Sequence, residues 1–338
     1  MEARLELKNW SPPLLLELSG SYWSTCTLHA GVKLDVFTPL AGGALSVQEL
    51  AARINCDPRA LAMLLNALTA MELLQKQDEC FADSPFAAEF LSRNSPRYLG
   101  HIILHHHNLV ESWANLDQAV LKGGPIRDRV SHEDAESTRE NFLMGMFNLA
   151  MQIAPMIVPQ LDLSGRRRLL DLGGGPGTYA IHFCQQNPQL AAVICDLPTT
   201  RGFAEQTVAR FGLSDRISFV ARDFEGEDLP SGFDVAWLSH ILHGMGPKDC
   251  AAVLKKTVAA LEPGGLILIQ EFILDDTGVA PLFPALFSLN MLLGTPDGQA
   301  YSQGELFDML TAAGATDVRR IPLQLPNGAG VVAGTVAG

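Results

Sequence analysis

Apolar positions divide the chain into two regimes. Up to about residue 160 they recur at helical spacing, on faces broad enough to need a partner surface. From Arg166 onward, short apolar runs alternate with helical stretches. This predicts strands at 167–172, 191–196, 217–222, 233–239 and 265–273, with helices between them such as 247–261. A helix over 302–313 leads to two last strands, 316–323 and 329–337. The short link Leu325-Pro326-Asn327-Gly328 makes that pair an antiparallel hairpin.

Within the helical half, Pro12-Pro13 and Gly20-Ser21 punctuate the segment up to about residue 40. Ser46 and Glu49 have capping-box spacing, and Asp57 followed by Pro58 starts the next helix. Two short segments, 73–76 and 79–82, follow, so residues 46–82 read as a helix-turn-helix with a β-wing. Residues 98–160 are helical again, with one helix predicted to reach Lys122 before Gly123-Gly124-Pro125.

The length suggests two domains. No uninterrupted apolar stretch of membrane-spanning length occurs, which argues against a membrane protein. The start, Met1-Glu2-Ala3-Arg4-Leu5-Glu6, lacks the pattern of a secretory leader. Six scattered cysteines without a C-x-x-C pair suit a reducing, cytoplasmic setting. The net charge of −13 argues against nucleic acid as a partner, and the second helix of the helix-turn-helix offers only Arg59 to a phosphate.

The chemistry is concentrated where the two regimes meet. Leu169-Leu170-Asp171-Leu172 ends in Gly173-Gly174-Gly175-Pro176-Gly177, and Thr178 opens a helix. Backbone without Cβ atoms, followed by the free N–H groups of a first helical turn, is a nucleotide-type site. Thr178 replaces the third glycine of the dinucleotide fingerprint, and no Lys-Ser/Thr pair makes a P-loop. Asp171 precedes the loop. Asp196, in Cys195-Asp196-Leu197, ends the next strand, where a carboxylate can accept both ribose hydroxyls.

Asp-Leu-Gly-Gly-Gly-Pro-Gly followed by Cys-Asp-Leu-Pro resembles the S-adenosylmethionine (SAM) motif of class I methyltransferases. The chain is most similar to the caffeate/hydroxyindole-type small-molecule O-methyltransferases, over nearly its whole length. The resemblance implies an α/β fold: a seven-stranded Rossmann-like sheet behind a mostly α, winged-helix dimerisation domain. It divides the chain into residues 1–97 for dimerisation, a helical linker at 98–165, and a SAM-binding domain at 166–338. It also implies a homodimer acting on a small-molecule acceptor.

The same resemblance assigns roles. Asp171, Gly173, Gly175, Gly177, Asp196, Leu197, Asp223, Phe224 and Ser239 would hold SAM, Ser239 standing where a lysine is common. His243 matches the catalytic base, and Glu271, at the next strand end, would fix its tautomer. His105, Met146 and Met291 would face the acceptor. His240 is read as structural. No metal is expected, because His105-His106-His107 point three ways from a helix.

Two departures qualify the base. Gly244 and Met245 replace the family's Asp and Trp after the histidine, and Ala300 replaces a second flanking glutamate. They leave C- or S-methylation, or a non-methylating SAM-binding enzyme, as alternatives. A SAM-sensing winged-helix regulator is the remaining one.

Overall fold

The computed structural model describes residues 9–128 and 136–337, so the chain start read above lies outside the described residues. By internal contacts the chain forms two units. One comprises residues 1–110 and 140–148; the other comprises 111–139 and 149–338.

The first unit opens with α1 (Pro12–Gly20), α2 (Tyr22–Lys33) and α3 (Phe37–Leu40). Ser11 caps α1 through the N–H of Leu14, and Pro12 and Pro13 fit its first turn. α1 buries none of its residues, and Leu15, Leu16 and Leu18 are exposed. Next come β1 (Leu45–Ser46), α4 (Val47–Ile54), α5 (Pro58–Ala70), β2 (Leu74–Gln77), β3 (Cys80–Asp83) and α6 (Pro85–Phe90). The capping box at Ser46–Glu49 and the Asp57 cap form as the sequence predicts. The hairpin β2–β3 is completed by β1 into a three-stranded sheet. One core, built on Phe37, Leu50, Leu61, Leu65, Leu68 and Phe81, holds these pieces together.

α7 (Gly100–Ala114) is followed by α8 (Leu116–Lys122) and α9 (Glu136–Ile157). The single helix expected up to Lys122 is thus two. Asn115 leaves the helical region (φ −114, ψ 27), and its side chain bonds back to the carbonyl of Glu111 at 2.8 Å. An asparagine competing for backbone partners in this way ends a helix that periodicity alone would continue. Residues 137–160 are long and apolar enough to cross a membrane by length and composition, although no uninterrupted apolar run marks them. Ala154, Ile157 and Val158 of this stretch are buried in the second unit's core.

The second unit is an open sheet of β4 (Arg168–Leu172), β5 (Ala191–Asp196), β6 (Ile217–Ala221), β7 (Phe233–Ser239), β8 (Leu261–Phe272), β9 (Ala315–Ile321) and β10 (Ala329–Val336). The spatial order is β6-β5-β4-β7-β8-β10-β9. β4 to β8 are parallel, and β10 is antiparallel to both its neighbours, as the predicted hairpin requires. β8 begins at Leu261, earlier than the apolar run suggests, because Leu261 pairs with Phe233 across a register shift.

The helices α10 (Thr178–Gln186), α11 (Arg201–Arg210), α12 (Pro247–Ala260), α13 (Leu282–Gly294) and α14 (Gln303–Ala312) complete this unit. Two cores result. Leu169 of β4 enters one with Phe183 and Trp237, while Leu170 and Leu172 enter the other with Leu238 and Ile269. Strands buried on both faces explain runs that read as continuous apolar sequence rather than as alternation.

Candidate active site

The carboxyl ends of β4, β5, β6, β7 and β8 carry the polar residues, as an open parallel sheet arranges its ligands. Gly173, Gly175 and Gly177 have φ of +65, +54 and +81, a conformation that favours glycine. A Cβ on Gly173 or Gly177 would stand 2.5 Å from Ile241 or Ile194 respectively. Gly175 has nothing within 4 Å of that position, so the loop tip faces open space.

Asp171 lies beneath the loop rather than over it. It is 1% exposed, and Oδ2 accepts the N–H of Ala180 at 3.2 Å, in the first turn of α10. A Cβ on Gly174 would sit 2.6 Å from its Cγ. Burial, only partly offset by the Ala180 bond, pushes its pKa up to about 7. It supports the loop and the helix start.

Asp196 meets the loop from the side. Oδ2 accepts the N–H of Gly175 at 2.8 Å, and Oδ1 accepts that of Leu197 at 2.6 Å. Thr200 donates to the same Oδ1 at 3.3 Å. Burial raises its pKa against the pull of these bonds. Asp223 is exposed beyond β6 and accepts the N–H of Glu225 at 3.0 Å. Phe224 is buried and flanks Gly173, 3.5 Å from the position of a Cβ there. Ser239 donates to Oε1 of Gln270 at 3.2 Å.

After β7 the chain turns sharply. His240 has a φ of +54, and residues Leu242–Gly244 form one 3₁₀ turn. His243 Nδ1 lies 2.8 Å from Glu271 Oε2. The other oxygen, Oε1, accepts the N–H groups of Leu242 at 2.9 Å and His243 at 3.3 Å. Burial alone would raise the Glu271 pKa. The charge of His243, its hydrogen bond and the nearby charge of His240 outweigh it and hold this carboxyl well below the usual carboxylate range. The His243 ring meets Phe287 edge-on at 4.7 Å and stacks near Phe272 at 6.4 Å between centroids. Met291, on α13, is buried in the same unit.

Where the departures fall, other residues hold the turn. The Tyr301 hydroxyl donates to the carbonyl of Met245, and the Cys250 thiol lies 3.2 Å from that of Leu242. Gly298 packs on His243 so closely that a Cβ would stand 2.5 Å from its carbonyl oxygen. Ala300 is buried, and its N–H donates to Ser288 at 3.0 Å.

Sequence reasoning missed Tyr301, Thr200 and Lys256. The Lys256 ammonium bonds the carbonyls of Phe224 at 2.6 Å, Glu225 at 3.1 Å and Glu227 at 2.9 Å, and so fixes the loop after β6. No spacing in the chain signals a lysine that binds carbonyls from another element. His105 and Met146 belong to the first unit, where the His105 ring lies 5.4 Å from that of Phe142.

These residues fit SAM. Open space lies at the Gly175 tip, and acids end two adjacent strands, β5 and β6. A seven-stranded sheet of this order, with such a loop at its β4 end, defines the class I methyltransferase fold, here joined to a helical N-terminal region. Residues 123–316 match the O-methyltransferase domain, and residues 16–93 match the O-methyltransferase dimerisation domain. The chain belongs to the O-methyltransferase family and is a SAM-dependent methyltransferase.

Among relatives, a 3-hydroxy-5-methyl-1-naphthoate 3-O-methyltransferase of Streptomyces sahachiroi is 35% identical over 332 residues, 96% of each chain. The tetracenomycin polyketide synthesis 8-O-methyl transferase TcmO of Streptomyces glaucescens is 32% identical, over 94% of this chain and 95% of its own. The N,N-dimethyltransferase OxyT of Streptomyces rimosus is 28% identical over 89% of each. Among solved structures, an O-methyltransferase family protein from Burkholderia thailandensis aligns with a TM-score of 0.86 and 26% identity, over 97% of this chain and 99% of its own. The structure "PigF with SAH" aligns at 0.88 and 26%, over 96% and 100%.

Proposed function

We propose that the enzyme methylates a hydroxyl of a small aromatic or polyketide-like molecule, with His243 as general base and Glu271 as its orienting carboxylate. The observation that carries this reading is the 2.8 Å bond between His243 Nδ1 and Glu271 Oε2. A proton held on Nδ1 by the carboxylate leaves Nε2 with a free lone pair. A phenol has a pKa of about 10, so little of it is ionised at neutral pH. Nε2 takes that proton as the oxygen becomes a nucleophile. Glu271 stabilises the imidazolium that results. SAM, when bound, supplies the electrophilic methyl group.

The protein's other task is alignment. Asp196 and Leu197 after β5, and Asp223 and Phe224 after β6, are read as holding the nucleoside end. Ser239 borders the same side. Phe272, Phe287 and Met291 suit a flat, apolar acceptor. The acceptor-facing role of His105 and Met146 rests on family resemblance alone. The exposed leucines of α1 and the dimerisation domain at 16–93 support a homodimer joined through the N-terminal domain. A cytoplasmic setting is read from six free thiols in the sequence.

The test is incubation with methyl-labelled SAM and a panel of phenols, with products located by mass spectrometry. O-methylated products and released S-adenosylhomocysteine are expected. Label on carbon or sulfur alone would favour the C- or S-methylation alternative, and label on nitrogen alone would match the chemistry named for the relative OxyT.

A further inference from the structure

Glu271 Oε2 faces two histidines, not one. His243 Nδ1 is 2.8 Å away and His240 Nδ1 is 3.5 Å away. One nitrogen from each ring and one carboxylate oxygen lie within 4.8 Å of one another. The His240 Nδ1 is buried without a hydrogen-bond partner. Its ring is directed there from a left-handed backbone (φ +54) that few non-glycine residues adopt, and it lies 4.3 Å from that of Phe272. The reaction as derived above uses His243 and Glu271 and gives His240 no task.

We propose that His240, His243 and Glu271 bind one divalent transition-metal ion, and that its binding switches the enzyme off. Two imidazoles and a carboxylate suit zinc, cobalt, nickel or copper, whereas magnesium and calcium prefer oxygen donors. Bond lengths of about 2.0–2.2 Å in a tetrahedral site place donors roughly 3.3 Å apart. The two distances to Glu271 Oε2, 2.8 and 3.5 Å, lie on either side of that value, and all three donors lie within 4.8 Å of one another, so side-chain rotations bring them together. Glu271 stays anchored meanwhile, because its other oxygen is held by the N–H groups of Leu242 and His243. The carboxylate also neutralises part of the ion's charge in a buried place.

The effect on turnover follows from the imidazole tautomer and rests on the general-base reading. Glu271 keeps the His243 proton on Nδ1 and so frees Nε2 to accept. A metal on Nδ1 displaces that proton, and the neutral ring then carries its hydrogen on Nε2. The nitrogen that should take the acceptor's proton no longer has a lone pair to offer. The β4–α10 loop and the ends of β5 and β6 are untouched, so SAM still binds.

The experiment uses the full chain without an affinity tag. Cobalt(II) is titrated while visible absorption is followed, and S-adenosylhomocysteine release is measured across a zinc series with and without chelator. The wild type is expected to take up one equivalent of cobalt in a tetrahedral-type spectrum and to lose turnover as zinc rises, reversibly. His240→Asn, whose asparagine tolerates the left-handed backbone, is expected to weaken cobalt binding by at least about tenfold while still binding SAM. His240→Gln should do the same and serves if the first variant folds poorly. Equal cobalt affinity in the wild type and these variants, or no such spectrum, overturns the site. Cobalt and zinc binding that depends on His240 but leaves turnover intact keeps the site but overturns its role as an off switch and, with it, the general-base reading.

Discussion

Glu271 grips His243 from two sides: Oε2 takes the ring nitrogen Nδ1 at 2.8 Å, and Oε1 takes its backbone N–H at 3.3 Å. The carboxylate therefore sets both the tautomer of the ring and the course of the turn that carries it. Glu271→Gln keeps an oxygen for Leu242 but offers an NH₂ to His243, which favours the tautomer with its hydrogen on Nε2. The expected result is a fall in kcat of about 10²–10⁴-fold, in the range of a lost general base, with SAM affinity preserved. Steady-state kinetics beside calorimetric SAM binding check this.

Asp171 gives a pH signature. Its folded pKa, raised to about 7, exceeds that of an unfolded carboxyl, so the folded protein favours the protonated form. The group costs nothing below the unfolded value of about 4. Its penalty grows as pH rises through the interval up to about 7 and is complete above that. Asp171→Asn removes the titration. The variant should melt higher than wild type at pH 8, and the difference should shrink as pH falls toward 4. Thermal melts without SAM across this range decide it; a difference independent of pH would contradict the raised pKa of this buried acid.

Asp196 is expected to act mainly on the cofactor, although it also bonds the N–H groups of Gly175 and Leu197. If it bonds two ribose hydroxyls as read, removing the carboxylate costs about 1.5–3 kcal/mol per bond. Asp196→Ala should therefore weaken SAM by at least about tenfold while thermal stability changes less. Unchanged affinity by calorimetry would remove the ribose assignment.

The loop glycines should separate stability from binding. Gly177→Ala puts a Cβ 2.5 Å from Ile194 at φ +81 and should cost about 1–3 kcal/mol of stability. Gly175→Ala has the same handedness but meets nothing within 4 Å. Its methyl group enters the space left for the ligand, so SAM affinity should fall more than the melting temperature. Paired melts and binding isotherms distinguish the two.

Much of this was legible in the sequence because it is local. The strands of the second unit announce themselves as apolar runs, the caps at Ser46 and Asp57 by spacing, and the loop by Gly173, Gly175 and Gly177. What escaped depends on distant parts of the chain meeting. Lys256 binds carbonyls of the loop after β6, Tyr301 holds Met245, and His240 reaches the carboxylate that His243 uses. The helix break at Asn115 is a side chain competing for backbone, which a periodic apolar pattern does not register. Asp171 reads as a cofactor ligand from its place before the loop; only its burial shows that it lies underneath the loop.

The most direct test of the central claim is the rate of methyl transfer by His243→Ala with SAM saturating and a phenolic acceptor that the wild type methylates. A fall of about 10²–10⁴-fold, with the SAM Kd unchanged, is the expected result. Undiminished turnover in that variant would contradict general-base catalysis by His243.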